Sequence, residues 1–146
     1  MSDLAAMINL TLAFIFGGLI GFVREKEGKT AGLRTHILVS LGSCLLMILS
    51  AQMLQLSGMA DPGRIAAGLI TGIGFIGAGA IVQGGGSVMG LTTAASLWVT
   101  SAIGMACGSG YYLAATFTTI LTLFVLQSLR WLESKIIKSK PHMEKD

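Results

Sequence analysis

Charged positions in this chain are gathered into short stretches that separate long apolar ones. No Asp, Glu, Lys or Arg occurs from Leu4 to Val23, from Thr35 to Ala60 or from Ile65 to Leu129. A bilayer-spanning helix needs about 20 apolar residues, so the third of these gaps is long enough for several spans. Two glycine-rich breaks divide it, QGGGSVMG at Gln83–Gly90 and Gly108-Ser109-Gly110, and the turn SGMADPGR precedes it. The spans so delimited are 4–22, 35–53, 65–82, 91–107 and 111–129. They predict an all-α fold: a polytopic membrane bundle of about five transmembrane helices within residues 1–132, followed by a short basic tail at 133–146.

The third span carries an unusual number of glycines. Gly68, Gly72, Gly74, Gly77 and Gly79 all lie between Arg64 and Gln83. Each would weaken a helix in water by roughly 1 kcal/mol relative to alanine, whereas in a membrane small residues let helices approach closely. On a helical wheel, Gly68, Gly72 and Gly79 share one narrow sector, and Gly74 and Gly77 lie roughly opposite. Ile65, Leu69, Ile73 and Ile76 form a bulky stripe between them. This pattern predicts a central helix between two neighbours, with the isoleucines turned to lipid. Gly17 and Gly21 make a second small-residue spacing near the end of the first span, suited to another close helix contact.

Composition agrees with a bilayer as the solvent. The chain is 53% hydrophobic and 12% charged, against a usual charged fraction of about 25%, and its mean hydropathy is +0.76. These values exclude an ordinary soluble globule and give no reason to expect a nucleic-acid partner. The first span is not patterned as a signal peptide, which would have a basic leader and an apolar core of roughly 7–15 residues. Only Asp3 precedes it, and Arg24 and Lys26 follow it, so it reads as a retained helix. Basic residues set the orientation. Arg24, Lys26, Lys29 and Arg34 follow the first span, and Arg130, Lys135, Lys138, Lys140 and Lys145 follow the fifth; only Arg64 lies on the other side. The N-terminus is therefore expected outside and the C-terminus in the cytoplasm. Trp131 and the Tyr111–Tyr112 pair bracket the fifth span, where aromatic belts form.

Few motifs suggest chemistry. Gly72-Ile-Gly74-Phe-Ile-Gly77 matches a dinucleotide fingerprint in letters only, because the fingerprint needs a preceding strand and this one lies inside an apolar helix. The loop before the fourth span resembles a phosphate loop, but Leu91 stands where the lysine belongs. Thr92 or Thr93 is expected to cap the fourth helix; the alternative is that free N–H groups there hold an anion or a carboxylate. Thr93, Ser96, Thr100, Gly104 and Gly108 form a small, hydroxylated stripe, expected to pack against another helix, with a polar path as the alternative. Trp98 falls near mid-span, so its N–H is expected to find a partner inside the bundle. His36 reads as a hydrogen-bonding residue rather than a ligand, and Asp61 with Arg64 as a local pair that closes the outer turn and caps the third helix. Cys44 and Cys107 have no CxxC spacing and read as small buried thiols. No carboxylate lies within a span, which argues against a cation channel or an ion-coupled pump. No cofactor, metal cluster or nucleophile–base pair is indicated, so an enzyme is not expected.

Taken together, G-x-x-R-E (Gly21, Arg24, Glu25), A-G-L-R-T-H (Ala31 to His36), D-P-x-R (Asp61 to Arg64), G-I-G-F-I-G-A-G (Gly72 to Gly79) and G-L-T-T-A-A-S-L-W (Gly90 to Trp98) resemble the bacterial MgtC/SapB membrane protein family. The resemblance covers about Gly17 to Leu129. It implies a multi-pass protein of the bacterial inner membrane, linked to growth in low magnesium and, in pathogens, to virulence. It also implies action on other membrane proteins or small membrane peptides rather than magnesium transport. MgtC-like members carry a folded cytoplasmic domain after the last helix, so a chain with only a short tail there resembles the SapB-type members. Self-association into a homo-oligomer, and transport of a small solute or ion by such an oligomer, is the alternative. The functional face is expected at Arg24, Arg34, Thr35, His36, Gly90, Thr92, Thr93 and Trp98.

Overall fold

The computed structural model describes residues 2–57, 61–84 and 87–129. The basic tail, with Trp131, lies outside the described residues. Five α-helices are present: α1 (Asp3–Lys26), α2 (Leu33–Ser57), α3 (Pro62–Gly79), α4 (Leu91–Gly108) and α5 (Tyr112–Phe124), the last continued by a π-helical turn at Val125–Leu129. Helices α1, α2 and α4 are long and apolar enough to cross a membrane. Helix α3 and the α5 segment are apolar but shorter.

Local chemistry explains the helix ends. The Ser2 hydroxyl accepts from the Ala5 N–H at 3.3 Å, and Asp3 in the first turn and Arg24 and Lys26 in the last turn of α1 match the helix dipole. Helix α1 thus runs four residues beyond the apolar span. Helix α2 begins at Leu33, whose N–H is held by the Glu25 carboxylate at 2.9 Å. Asp61 caps α3 by accepting from the Gly63 N–H at 2.8 Å, as the sequence suggested. Among the described residues, no ion pair joins it to Arg64, whose backbone N–H donates to the Asp61 carbonyl instead.

One break differs from expectation. The Gln83–Gly90 stretch is a small antiparallel hairpin, β1 (Val82–Gly84) and β2 (Ser87–Met89), with Val82 opposite Met89 and Gln83 opposite Val88. Helix α3 accordingly stops at Gly79, three residues before the predicted end. Gly90 returns the chain to α4 with φ +91°, a left-handed conformation suited to glycine.

The bundle is organised around α2 and α4. Helix α1 lies against α2 at Gly17 and Gly21: a β-carbon at Gly17 would sit 2.8 Å from the His36 carbonyl oxygen, and one at Gly21 2.8 Å from the Leu33 Cα. Helix α4 approaches the other flank of α2 at Gly104 and Gly108, where side chains would collide with the Ser40 and Cys44 carbonyl oxygens. The hydroxylated stripe Thr93, Ser96, Thr100, Gly104 and Gly108 is buried throughout, as the packing reading requires. Ala13, Ile20, Cys44, Ile48, Ile103, Cys107, Ala115 and Leu126 form the apolar core. Both cysteines are buried and unbridged, again as read from the sequence.

The glycine helix is not central. Helix α4 is, touching α1, α2, α3 and α5. Within the chain, Gly68, Gly72, Gly74 and Gly79 have open space where a side chain would project; only Gly77 meets a neighbour, Ala94, at 3.6 Å. Leu69 and Ile73, assigned to the lipid stripe, are buried instead. The physical reason is that α3 packs by Leu69 and Ile73, with Gly77 against Ala94, so Gly68, Gly72, Gly74 and Gly79 turn outward; Ile76 is 45% exposed, as the lipid stripe requires. Trp98 is likewise 49% exposed on the outer side of α4 rather than partnered inside the bundle.

Packing at backbone distance makes a clear contrast between two glycines. Gly104→Leu forces α4 away from α2 and is expected to cost about 3 kcal/mol in unfolding of the purified protein by SDS titration, whereas Gly72→Leu should cost less than about 1 kcal/mol. Equal losses for the two variants would contradict this arrangement.

Candidate functional site

One end of the bundle gathers polar groups that the sequence scatters over 70 positions. The last turn of α1 brings Arg24, the following loop brings Glu27 and Lys29, the first turn of α2 brings His36, and the hairpin leads into Gly90, Thr92 and Thr93 at the start of α4. Arg24 is the largest fully enclosed side chain, 2% exposed. A guanidinium removed from water must be answered by hydrogen bonds. Its Nη2 donates to the Thr93 hydroxyl at 2.7 Å, and its Nη1 donates to the Glu27 carboxylate at 3.3 Å. The short contact to Thr93 is charge-assisted and joins α1 to α4. The planar fork reaches two acceptors in different directions, which an ammonium group does not reproduce.

A second link joins α2 to α4 beside it. His36, 0% exposed, lies with Nδ1 2.8 Å from the Gly32 carbonyl and Nε2 3.1 Å from the Ser96 hydroxyl. The Ser96 hydroxyl is also 2.8 Å from the Thr93 carbonyl. A neutral imidazole donates from Nδ1 to Gly32 and takes the Ser96 proton at Nε2, and that proton is then not available to the Thr93 carbonyl. In that arrangement the ring fastens α2 to α4. Deeper in the bundle, Ser43 and Ser101 share a hydrogen bond at 2.8 Å across the same interface. Ser43 also donates to the Val39 carbonyl and Thr100 to the Ser96 carbonyl, each at 2.8 Å.

Above Arg24 opens a cleft of about 730 Å³. Its polar lining residues are Arg24, Glu27, Lys29, Thr30, Thr92 and Thr93; Val82, Val88 and Met89 of the hairpin, with Leu91, Val125 and Leu126, supply apolar lining. Neither Thr92 nor Thr93 caps α4, contrary to expectation: Gly90 occupies the cap position, with no side-chain bond, and Thr93 is engaged by Arg24. Among the described residues, no group of three or more His, Cys, Asp or Glu side chains is placed to hold a metal ion.

Of the residues singled out from sequence, Arg24, His36, Gly90, Thr92 and Thr93 come together. Thr35 is half-buried on α2, and Arg34 is exposed outside the cleft lining. Trp98 is apart on the outer face of α4, and Asp61 and Arg64 mark the opposite end of α3. The sequence reading missed Glu25 and Glu27, whose roles depend on how the loop folds back. It also missed a buried pair at the far end, where Tyr112 donates its hydroxyl proton to the Asn9 side-chain oxygen at 2.7 Å and the Asn9 amide lies 3.4 Å from the Gly108 carbonyl. A lone asparagine in a charge-free span was the available signal for it.

Comparison with known proteins agrees with this architecture. The family model described as "MgtC family" matches residues 10–135. The chain is 46% identical over 143 residues to the protein of Escherichia coli K12 named "Putative magnesium transporter YhiD", covering 94% of this chain and 66% of YhiD. It is 43% identical over 118 residues to protein MgtC of Brucella abortus, covering 81% of this chain and 48% of that protein. To protein MgtC of Salmonella typhimurium 14028s it is 42% identical over 117 residues, 80% of this chain and 49% of that one. The chain therefore spans about half the length of these MgtC proteins and just under two thirds of YhiD. No solved structure matches it. On the extent of the family match and on these identities, the chain belongs to the MgtC family.

Proposed function

We propose that this chain is a non-enzymatic regulator that modulates other proteins of the bacterial inner membrane during adaptation to scarce magnesium. It is a helical membrane protein of a family linked to magnesium homeostasis. The observation that carries the finer reading is the fastening at the Arg24 end. There the Arg24–Thr93 and His36–Ser96 bonds tie α1, α2 and α4 together beneath an exposed loop and hairpin. A fastened base that presents exposed connections to a partner suits recognition, because connecting segments carry binding when a scaffold positions them.

Transport is the second reading, and the name of YhiD favours it. Magnesium is bound through carboxylates and retained waters. Between α2 and α4 the Ser43, Ser101 and Thr100 hydroxyls are engaged with one another and with helix carbonyls, an arrangement that supports packing over passage, while the Ser40 hydroxyl is buried without a hydrogen-bond partner among the described residues. In a strain lacking the protein, Arg24→Lys and Thr93→Val are expected to reach normal abundance by immunoblot yet grow at low magnesium like the deletion. Thr93→Ser, which keeps the hydroxyl, and Arg34→Lys, at an exposed position, should grow like wild type. Purified wild-type protein in vesicles should take up no more magnesium than protein-free vesicles. Uptake above that background, or full growth of Arg24→Lys and Thr93→Val, would overturn the regulatory reading.

The excess of basic residues supports a cytoplasmic Arg24 end. In a protein with Cys44 and Cys107 replaced by serine, a cysteine at Ser109 should react with a membrane-impermeant maleimide in intact cells. A cysteine at Lys29 should react only after permeabilisation. The reverse pattern would invert the orientation.

A further inference from the structure

We infer that the cleft above Arg24 binds the phosphate group of an anionic membrane phospholipid. The inference goes beyond the regulatory reading and needs no particular protein partner. Its basis is the mixed lining of a cleft of about 730 Å³. Its polar lining includes two cations, Arg24 and Lys29, with the hydroxyls of Thr30 and Thr92. Glu27 is the one carboxylate among the described lining residues, and it is engaged by Arg24 at 3.3 Å. The net charge of the described lining residues is therefore positive by one, which suits the single negative charge of a phosphodiester and does not suit a divalent cation, which seeks several oxygen anions. Thr92 is exposed, so its hydroxyl remains open to the cleft while that of Thr93 is engaged by Arg24.

The apolar lining favours a lipid over a soluble anion. Val88, Met89 and Leu91 are exposed apolar side chains facing the same space as the cations. A free phosphate ion gains nothing from such a wall, whereas an acyl chain buries it. The depth is also suitable. Arg24 closes α1 at the point where the charge-free span gives way to a basic loop, which is head-group level for a spanning helix. Gly90 completes the shape: in its left-handed conformation it joins the hairpin to the start of α4 at a point where a β-carbon would collide with the Ala80 carbonyl.

Native mass spectrometry of the full-length, delipidated protein tests this with phosphatidylglycerol and phosphatidylcholine of matched chains. Wild type should retain phosphatidylglycerol about fivefold over phosphatidylcholine, the effect of roughly one surface cation. Lys29→Glu and Val88→Glu, both at exposed positions, should abolish that preference while circular dichroism shows an unchanged helical content. Lys26→Gln, a basic residue of the same end outside the cleft lining, should leave it intact. Equal retention of the two lipids by wild type would overturn the proposal, as would a preference that survives both glutamates. If inorganic phosphate alone displaces phosphatidylglycerol, the site belongs to a soluble phosphate and the lipid assignment fails.

Discussion

Burying a guanidinium constrains everything around it. Arg24 sits where α1 leaves its apolar span, and it is enclosed rather than extended toward water. A charge so placed is tolerable only with acceptors fixed at hydrogen-bond distance. The Thr93 hydroxyl and the Glu27 carboxylate supply them. Because Thr93 belongs to α4, this requirement fixes the register between the first and fourth helices. The Glu25 carboxylate acts in parallel on the start of α2. The Arg24–Glu27 stretch at the end of α1 thereby positions α2 and α4 beside it.

Along the membrane-crossing length, contact distance takes over from charge. There is little hydrophobic gain in bringing two apolar helices together in lipid, so close packing and interhelical hydrogen bonds must supply the attraction. Gly17 and Gly21 on α1, and Gly104 and Gly108 on α4, allow both helices to rest against the backbone of α2. The hydroxyls of Ser43 and Ser101 bond across the seam thus formed. At the far end the Asn9–Tyr112 bond ties α1 to α5. The bundle is polar at both ends of its interior and packed by small residues between them.

Much of this was legible in the sequence, and the failures have a common cause. The charge-free gaps gave the helices, since burying an unpaired charge in lipid is costly enough to leave a clear imprint on the chain. The stripe from Thr93 to Gly108 was read correctly because it places small and hydroxylated residues on one helical face. The glycines of α3 misled for the same reason: a wheel shows which residues share a face, not which face meets a neighbour. Leu69 and Ile73 prove to be the contacting side. The hairpin at Val82–Met89 was hidden by three consecutive glycines, which signal a break without specifying its form. The site was half visible. Arg24, His36 and Thr93 stood out as polar residues at span ends, but their meeting depends on α1, α2 and α4 folding together, and Arg34, equally prominent in the sequence, is left outside.

The central claim is that the Arg24–Thr93 bond fastens α1 to α4 beneath the cleft. A double-mutant cycle in SDS unfolding, with Arg24→Met, Thr93→Val and the pair, measures that link without reference to any phenotype. The structure predicts a coupling of about 1 kcal/mol or more, as for a hydrogen bond to a charged group in a buried site. Additivity within about 0.3 kcal/mol would contradict it, because two residues that do not interact lose stability independently.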